Sequence, residues 1–178
     1  NLGVLVLPDR EQHLSYDDSR VRVIPTGVAK PSHKRNVGIK CSKSEICAFI
    51  DADAYPHKDW LKNVVKYFKD AEVAAVGGPS LTPASDNIWQ KSSGLILASR
   101  LGGGRFTHRY TSRKTKDDDD LPACNLVLRK SVLDKLGGFN VDNWPGEDTY
   151  LSMQITKQLN MKMVYAPDVV VFHHRRSL

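Results

Sequence analysis

The sequence predicts an α/β domain, a mostly parallel sheet with helices on both faces. Three observations predict it. Short apolar runs alternate with stretches of helical period. The runs end in glycine, proline or aspartate, the residues that close strands. The chain of 178 residues is long enough for one sizeable core.

The elements follow in order. Val4–Leu7 reads as a buried strand, closed by Pro8-Asp9-Arg10, so Asp9 lies at a strand's carboxyl end. A polar loop runs to Arg20, and Val21–Ile24 forms a short strand before Pro25 and Gly27. Ser32 is placed to cap a helix from His33 to about Lys43. Lys34 and Arg35 in its first turn either hold phosphate or form a solvated basic face. Ile46–Ile50 is the next strand, and it delivers Asp51 and Asp53. Side chains two apart on an extended chain share a face. The pair therefore either aims at one divalent cation or makes a solvated turn. Ligands of open α/β sheets gather at such strand ends.

Pro56 is placed to open a helix over 57–69, with Trp60, Leu61, Val64, Val65 and Phe68 on its core stripe. Val73–Val76 is a buried strand ended by Gly77-Gly78-Pro79. Asp86–Arg100 has helical character, and Gly102-Gly103-Gly104 breaks the chain into a flexible loop. The acidic run Asp117–Asp120 reads as a solvated or mobile segment, not a metal site. Ala123–Leu128 is a strand, Ser131 caps a helix over 132–136, and Gly137-Gly138 stop it. Glu147 and Asp148 stand at a helix start, as caps or as chemistry. A last strand, Met163–Phe172, is interrupted by Pro167 and delivers His173, either a surface residue or a metal ligand.

Composition narrows the classes. The net charge of +6 suits an anionic ligand or membrane surface. It is not accompanied by the interleaved basic and aromatic residues of a nucleic-acid surface. No apolar run reaches the ~18 residues of a membrane span, and the start has no signal-peptide pattern. Cys41, Cys47 and Cys124 lack metal spacing and suit a reducing compartment. The chain starts within an apolar run and stops just after another, so a fragment cut at both ends is expected.

The ordered motifs carry a resemblance. A strand ending in Asp9 precedes Lys34-Arg35-Asn36-Val37-Gly38 and Phe49-Ile50-Asp51-Ala52-Asp53. Asn125-Leu126-Val127-Leu128-Arg129, Gly137-Gly138-Phe139, Gly146-Glu147-Asp148 and Val171-Phe172-His173 follow. Together they resemble the family 2 glycosyltransferases, which have the Rossmann-like GT-A fold. The resemblance implies an inverting sugar transfer from a nucleotide-sugar to a glycan or lipid-linked hydroxyl, with Mn²⁺ or Mg²⁺. Asp9 would recognise the base, with Arg35 near the nucleotide. Asp51 would contact ribose or metal, and Asp53 would ligate the metal, with His173 as a further ligand. Asp148 would be the general base, with Glu147 shaping the site or binding acceptor. Residues 1–80 would be the nucleotide- and metal-binding half of a catalytic-domain fragment, and 81–178 the acceptor-side half. The resemblance also implies cell-envelope polysaccharide or glycolipid synthesis. The place would be the cytoplasm or the cytoplasmic face of a membrane, with membrane association through parts outside this chain.

Three departures qualify it. Pro8 replaces the usual acidic residue before Asp9, the family's first strand is missing, and the Gln-Arg-Trp-type motif of processive members is absent. Two rivals use the same residues. One is a phosphatase of the haloacid-dehalogenase type, built on Asp-x-Asp. The other is a nucleotide- or glycan-binding module without catalysis.

Overall fold

The computed structural model describes residues 2–11 and 16–176. Part of the loop expected before Arg20 and the last two residues lie outside them.

The strands are β1 (Val4–Val6), β2 (Val21–Val23), β3 (Ile46–Ile50), β4 (Ala54–Pro56), β5 (Val73–Gly77), β6 (Ser80–Leu81), β7 (Lys116–Asp117), β8 (Asn125–Arg129), β9 (Lys162–Tyr165) and β10 (Val171–His173). The helices are α1 (Pro31–Cys41), α2 (Trp60–Val65), α3 (Ile88–Ala98), α4 (Arg100–Gly103), α5 (Lys130–Leu136) and α6 (Glu147–Met153). The central sheet has the order β3-β8-β5-β9-β7, and β4-β10-β6 and β1-β2 form smaller sheets.

The α/β class holds, but the pairing within the central sheet is mixed rather than mostly parallel. β3, β5 and β9 run one way, and β8 is inserted antiparallel between β3 and β5. Residues 1–80 and 81–178 therefore share one sheet. Alternation along β8 explains the two core layers. Leu126 and Leu128 pack with Ile39 of α1, Leu133 of α5 and Leu151 of α6 on one face. Val127 packs with Trp60 and Val64 of α2 on the other, with Phe68 beside them. Helices thus cover both faces, as expected.

Several local expectations give way to the tertiary context. Pro31 takes the first position of α1 and Lys30 precedes it, so Ser32 is inside the helix, fully buried, and not its cap. Pro56 ends β4, held by pairing with Val171, and the helix starts only at Trp60. Its stripe is narrower than expected. Trp60, Val64 and Phe68 are buried, while Leu61 and Val65 are exposed. Ser131 lies exposed within α5, whose N-cap is Arg129. Gly137 and Gly138 do stop α5, both at positive φ.

Gly102 and Gly103 are not a flexible loop but form part of α4. A side chain on Gly103 would press within 2.0 Å of the Leu97 carbonyl oxygen, so the chain can double back after α3 only with glycine there. The expected last strand is two strands, β9 and β10, which belong to different sheets. Half of the acidic run is structural. Asp118 is buried against His108 at 2.7 Å, and Asp120 against Arg109 at 2.7 Å. No described helix is long and apolar enough to cross a membrane.

Asn125 ties the layers together. Its Oδ1 accepts from Trp60 Nε1 at 2.9 Å, and its Nδ2 donates to the carbonyls of Val169 at 2.8 Å and Pro79 at 3.3 Å. All of this is buried. Each stranded buried polar group costs about 1–3 kcal/mol. Asn125→Ala is therefore expected to lower the unfolding free energy by about 3 kcal/mol, read from urea denaturation followed by circular dichroism.

Candidate active site

The site is assembled at the carboxyl end of β3. The chain does not stay extended there. It turns at once, the Ala54 amide donating to the Asp51 carbonyl at 3.1 Å, and continues as β4. β4 pairs antiparallel with β10, which sets Ala54 opposite His173. That register, not side-chain alternation along a strand, brings the ligand atoms together. His173 Nε2 lies 3.0 Å from Asp53 Oδ1. One atom each from Asp51, Asp53 and His173 falls within 4.8 Å of the others. Two carboxylates and an imidazole suit Mn²⁺ or a similar borderline-hard cation.

α1 supplies the balancing charge. Arg35 Nη2 donates to Asp51 Oδ1 at 3.1 Å, and Nη1 to Glu147 Oε1 at 2.7 Å. Its guanidinium also lies over the Phe139 ring, 5.4 Å from the centroid. Glu147 is buried and accepts the Gly146 amide as well. Asn36, the next residue on α1, accepts the Phe139 amide at 2.8 Å and donates to the Phe139 carbonyl at 2.7 Å. A side chain on Gly138 would stand 2.4 Å from Asn36 Oδ1, and Gly138 has φ 84°. Glycine is thus required for this contact between α1 and the loop after α5.

Asp148 is the second residue of α6 and is half-buried. Its Oδ2 accepts the Ala123 amide at 3.2 Å and its Oδ1 the Thr149 amide at 2.9 Å. Both oxygens keep lone pairs for another partner. Cys124 adjoins Ala123. Burial pushes its thiol up, against the hydrogen bond with Ser80. Arg35 bonds both Asp51 and Glu147, the residue before Asp148, and so ties the start of α6 to the end of β3. Asp9 joins indirectly. Its carboxylate pairs with Lys34 at 2.5 Å, beside Arg35 on α1, and does not enter the ligand cluster.

Residues 9–137, well over half of the chain, match the model of glycosyl transferase family 2. The chain belongs to that family.

Over 147 residues the chain is 26% identical to a pre-mycofactocin glycosyltransferase of Mycobacterium tuberculosis, covering 83% of this chain and 30% of the relative. It is 21% identical over 173 residues to a Methanococcus voltae enzyme, covering 94% of this chain and 52% of that protein. That enzyme is the dolichyl N-acetyl-alpha-D-glucosaminyl phosphate 3-beta-D-2,3-diacetamido-2,3-dideoxy-beta-D-glucuronosyltransferase. The chain thus spans 30% of the first relative and 52% of the second. The solved mannosyltransferase PcManGT from Pyrobaculum calidifontis, in complex with GDP-Man and Mn²⁺, matches with a TM-score of 0.63 at 19% identity. That match covers 97% of this chain and 48% of that one. The fold is GT-A.

Within this family member, sequence reasoning missed Asp86 and Arg175. Asp86 is buried, touches His174 Nδ1 at 2.5 Å and accepts the Arg175 amide at 3.2 Å. Burial works to raise its carboxyl, but His174 and the Arg175 amide outweigh it and hold it below the usual carboxylate range. Arg175 is buried too, with Nε on Thr82 Oγ1 at 3.1 Å and its guanidinium 5.0 Å from the Tyr110 ring centroid. Together they lock the chain just after His173. In the sequence Asp86 reads only as a helix-start residue, and that role belongs to Asn87, which forms a capping box with Gln90.

The Arg35–Glu147 contact yields a test. Glu147→Ala would strand half of a mostly buried guanidinium that keeps only Asp51. Hydrogen bonds to charged groups contribute about 1.5–3 kcal/mol. A loss of about 2 kcal/mol in unfolding free energy is expected from chemical denaturation, with Glu147→Gln retaining part of it.

Proposed function

We propose that the protein transfers a sugar, with inversion, from a nucleoside-diphosphate sugar to a hydroxyl acceptor on a glycan or a lipid-linked saccharide. The observation that carries the reading is the Asp51, Asp53 and His173 cluster, tied through Arg35 to Glu147, the neighbour of Asp148. The GDP-Man and Mn²⁺ held by PcManGT support the donor and the metal. The dolichyl-linked substrate in the name of the Methanococcus voltae relative supports the lipid-linked acceptor. Such an acceptor fits work at the cytoplasmic face of a membrane, in the synthesis of envelope glycans.

Asp53 and His173 would hold Mn²⁺ or Mg²⁺, with Asp51 contributing to the metal or the ribose. Bound there, the cation neutralises charge on the leaving diphosphate. Arg35 orients Asp51 and carries positive charge toward the nucleotide side, and Asp9 reaches the base from the end of β1. Asp148 accepts the acceptor hydroxyl's proton as its oxygen bonds to the anomeric carbon. The bond from that carbon to the diphosphate oxygen breaks on the opposite face, so the configuration inverts. Glu147, committed to Arg35, positions the site rather than moving a proton. Residues 1–80 then supply most donor contacts and 81–178 the acceptor side, although His173 crosses to the metal.

Two measurements test this. Calorimetry is expected to show that Mn²⁺ and a nucleoside diphosphate strengthen each other's binding, because the protein's ligands alone are too few for a tight site. Asp53→Asn is expected to remove most of that coupling. Asp148→Asn is expected to leave it intact while sugar transfer falls about 10²–10⁴-fold, the usual contribution of a positioned base. Near-normal transfer by Asp148→Asn would overturn the assignment. Diphosphate binding indifferent to Mn²⁺ would overturn the metal site.

A further inference from the structure

The helix α3 turns its apolar side outward. Ile88 is 70% exposed, Trp89 64%, Leu95 72% and Ile96 54%, and Leu101 of α4 is fully exposed. Ile88 and Leu95 are seven residues apart, as are Trp89 and Ile96. At about 100° per residue the two rows lie side by side, on an arc of roughly 120°. The opposite side is fixed to the fold. Gly94 is buried against Thr82, and Gln90 donates to the Arg175 carbonyl at 2.8 Å.

The charged residues of this segment have one sign. Residues 87–116 carry seven lysines and arginines and no aspartate or glutamate. Lys91, Arg100, Arg105, Arg113 and Lys114 are exposed, and among the described residues none of the five has an ion-pair partner. An apolar arc that includes tryptophan, in a stretch of chain whose charged residues are all cations, has the composition of an interfacial helix. Its complement is an apolar layer beneath negative headgroups.

We propose that α3 and α4 dock the protein on an anionic phospholipid surface. Ile88, Trp89, Leu95, Ile96 and Leu101 enter the headgroup–acyl boundary while Lys91, Arg100 and Arg105 meet lipid phosphates. Gln90 and Asp86 join α3 and the segment before it to the chain just beyond His173, so docking sets the candidate metal site at a fixed height above the lipid. This deepens the proposed use of a lipid-linked acceptor and rests on that reading only for its purpose, not for its physics.

The test uses the full-length protein and vesicles without donor or acceptor, so its outcome is independent of sugar transfer. Brominated phosphatidylcholine mixed with phosphatidylglycerol is expected to quench tryptophan fluorescence, and Trp89→Phe is expected to abolish that quenching. Leu95→Ser with Ile96→Ser, and separately Lys91→Glu with Arg100→Glu, are each expected to raise the lipid concentration it needs at least about tenfold, since burying one leucine-sized side chain, or bringing two cations to an anionic surface, is worth that much. These exposed positions leave the core intact, which circular dichroism checks. Quenching unchanged in Trp89→Phe would overturn the proposal. So would its absence on anionic vesicles, or a face covered by a second copy or by another segment of the protein, read as α3 protected from hydrogen exchange with no lipid present.

Discussion

The arrangement depends on one guanidinium placed between two carboxylates. The candidate site gathers Asp51, Asp53, Glu147 and Asp148 from distant parts of the chain, and like charges so close repel unless compensated. Arg35 provides the compensation with a planar fork that satisfies Asp51 on one side and Glu147 on the other. Its stem is largely buried and its face lies on Phe139. Removing it would do more than remove one charge. α1, the end of β3 and the start of α6 would lose the group that fixes their relative positions.

The flanking residues of each motif follow the same logic. Asn36 satisfies both backbone groups of Phe139, so the Arg-Asn and Gly-Gly-Phe segments are two sides of one contact. Asn125 ties Trp60 to the turns at Pro79 and Val169. Arg129, at the far end of the same strand, donates to the carbonyls of Val73, Phe68 and Asp70. These side chains satisfy backbone groups, most of them buried or half-buried, at the ends and turns of the sheets. The chemistry-bearing residues are few, and the residues around them form the frame that aims them.

Legibility in the sequence divides by range. Strands β3, β5 and β8 are apolar runs bounded by breakers, and periodicity locates them. The stop at Gly137-Gly138 is written in the residues that tolerate positive φ. What periodicity does not encode is pairing. Nothing in Asn125–Arg129 states that the strand runs antiparallel between β3 and β5, because a fully buried strand looks alike in either direction. Pro56 and Ser131 carry good local helix-start chemistry and are overruled by sheet pairing and by the entry from β8. Asp118 and Asp120 look solvated because their partners, His108 and Arg109, lie about ten residues back across a turn. The candidate site residues were legible as an ordered set. The turn that unites Asp51 with Asp53, and the register that adds His173, were not.

That register also links the catalytic reading to the acceptor side. Asp51 uses Oδ1 on Arg35, which leaves its other oxygen and remaining lone pairs for a ligand. Asp53 faces His173, and the Asp53 carbonyl accepts the His174 amide at 3.0 Å. His174 in turn meets Asp86, just ahead of α3. A run of neighbouring side chains therefore extends from Arg35 of α1 through the carboxylates to the segment before α3. Its members are buried or half-buried except Asp53, the most open of the group. In the proposed reading, a frame with its most exposed ligand at the open end suits a site completed by the donor's own phosphates, because the protein then fixes the direction of approach while the nucleotide supplies the remaining oxygens.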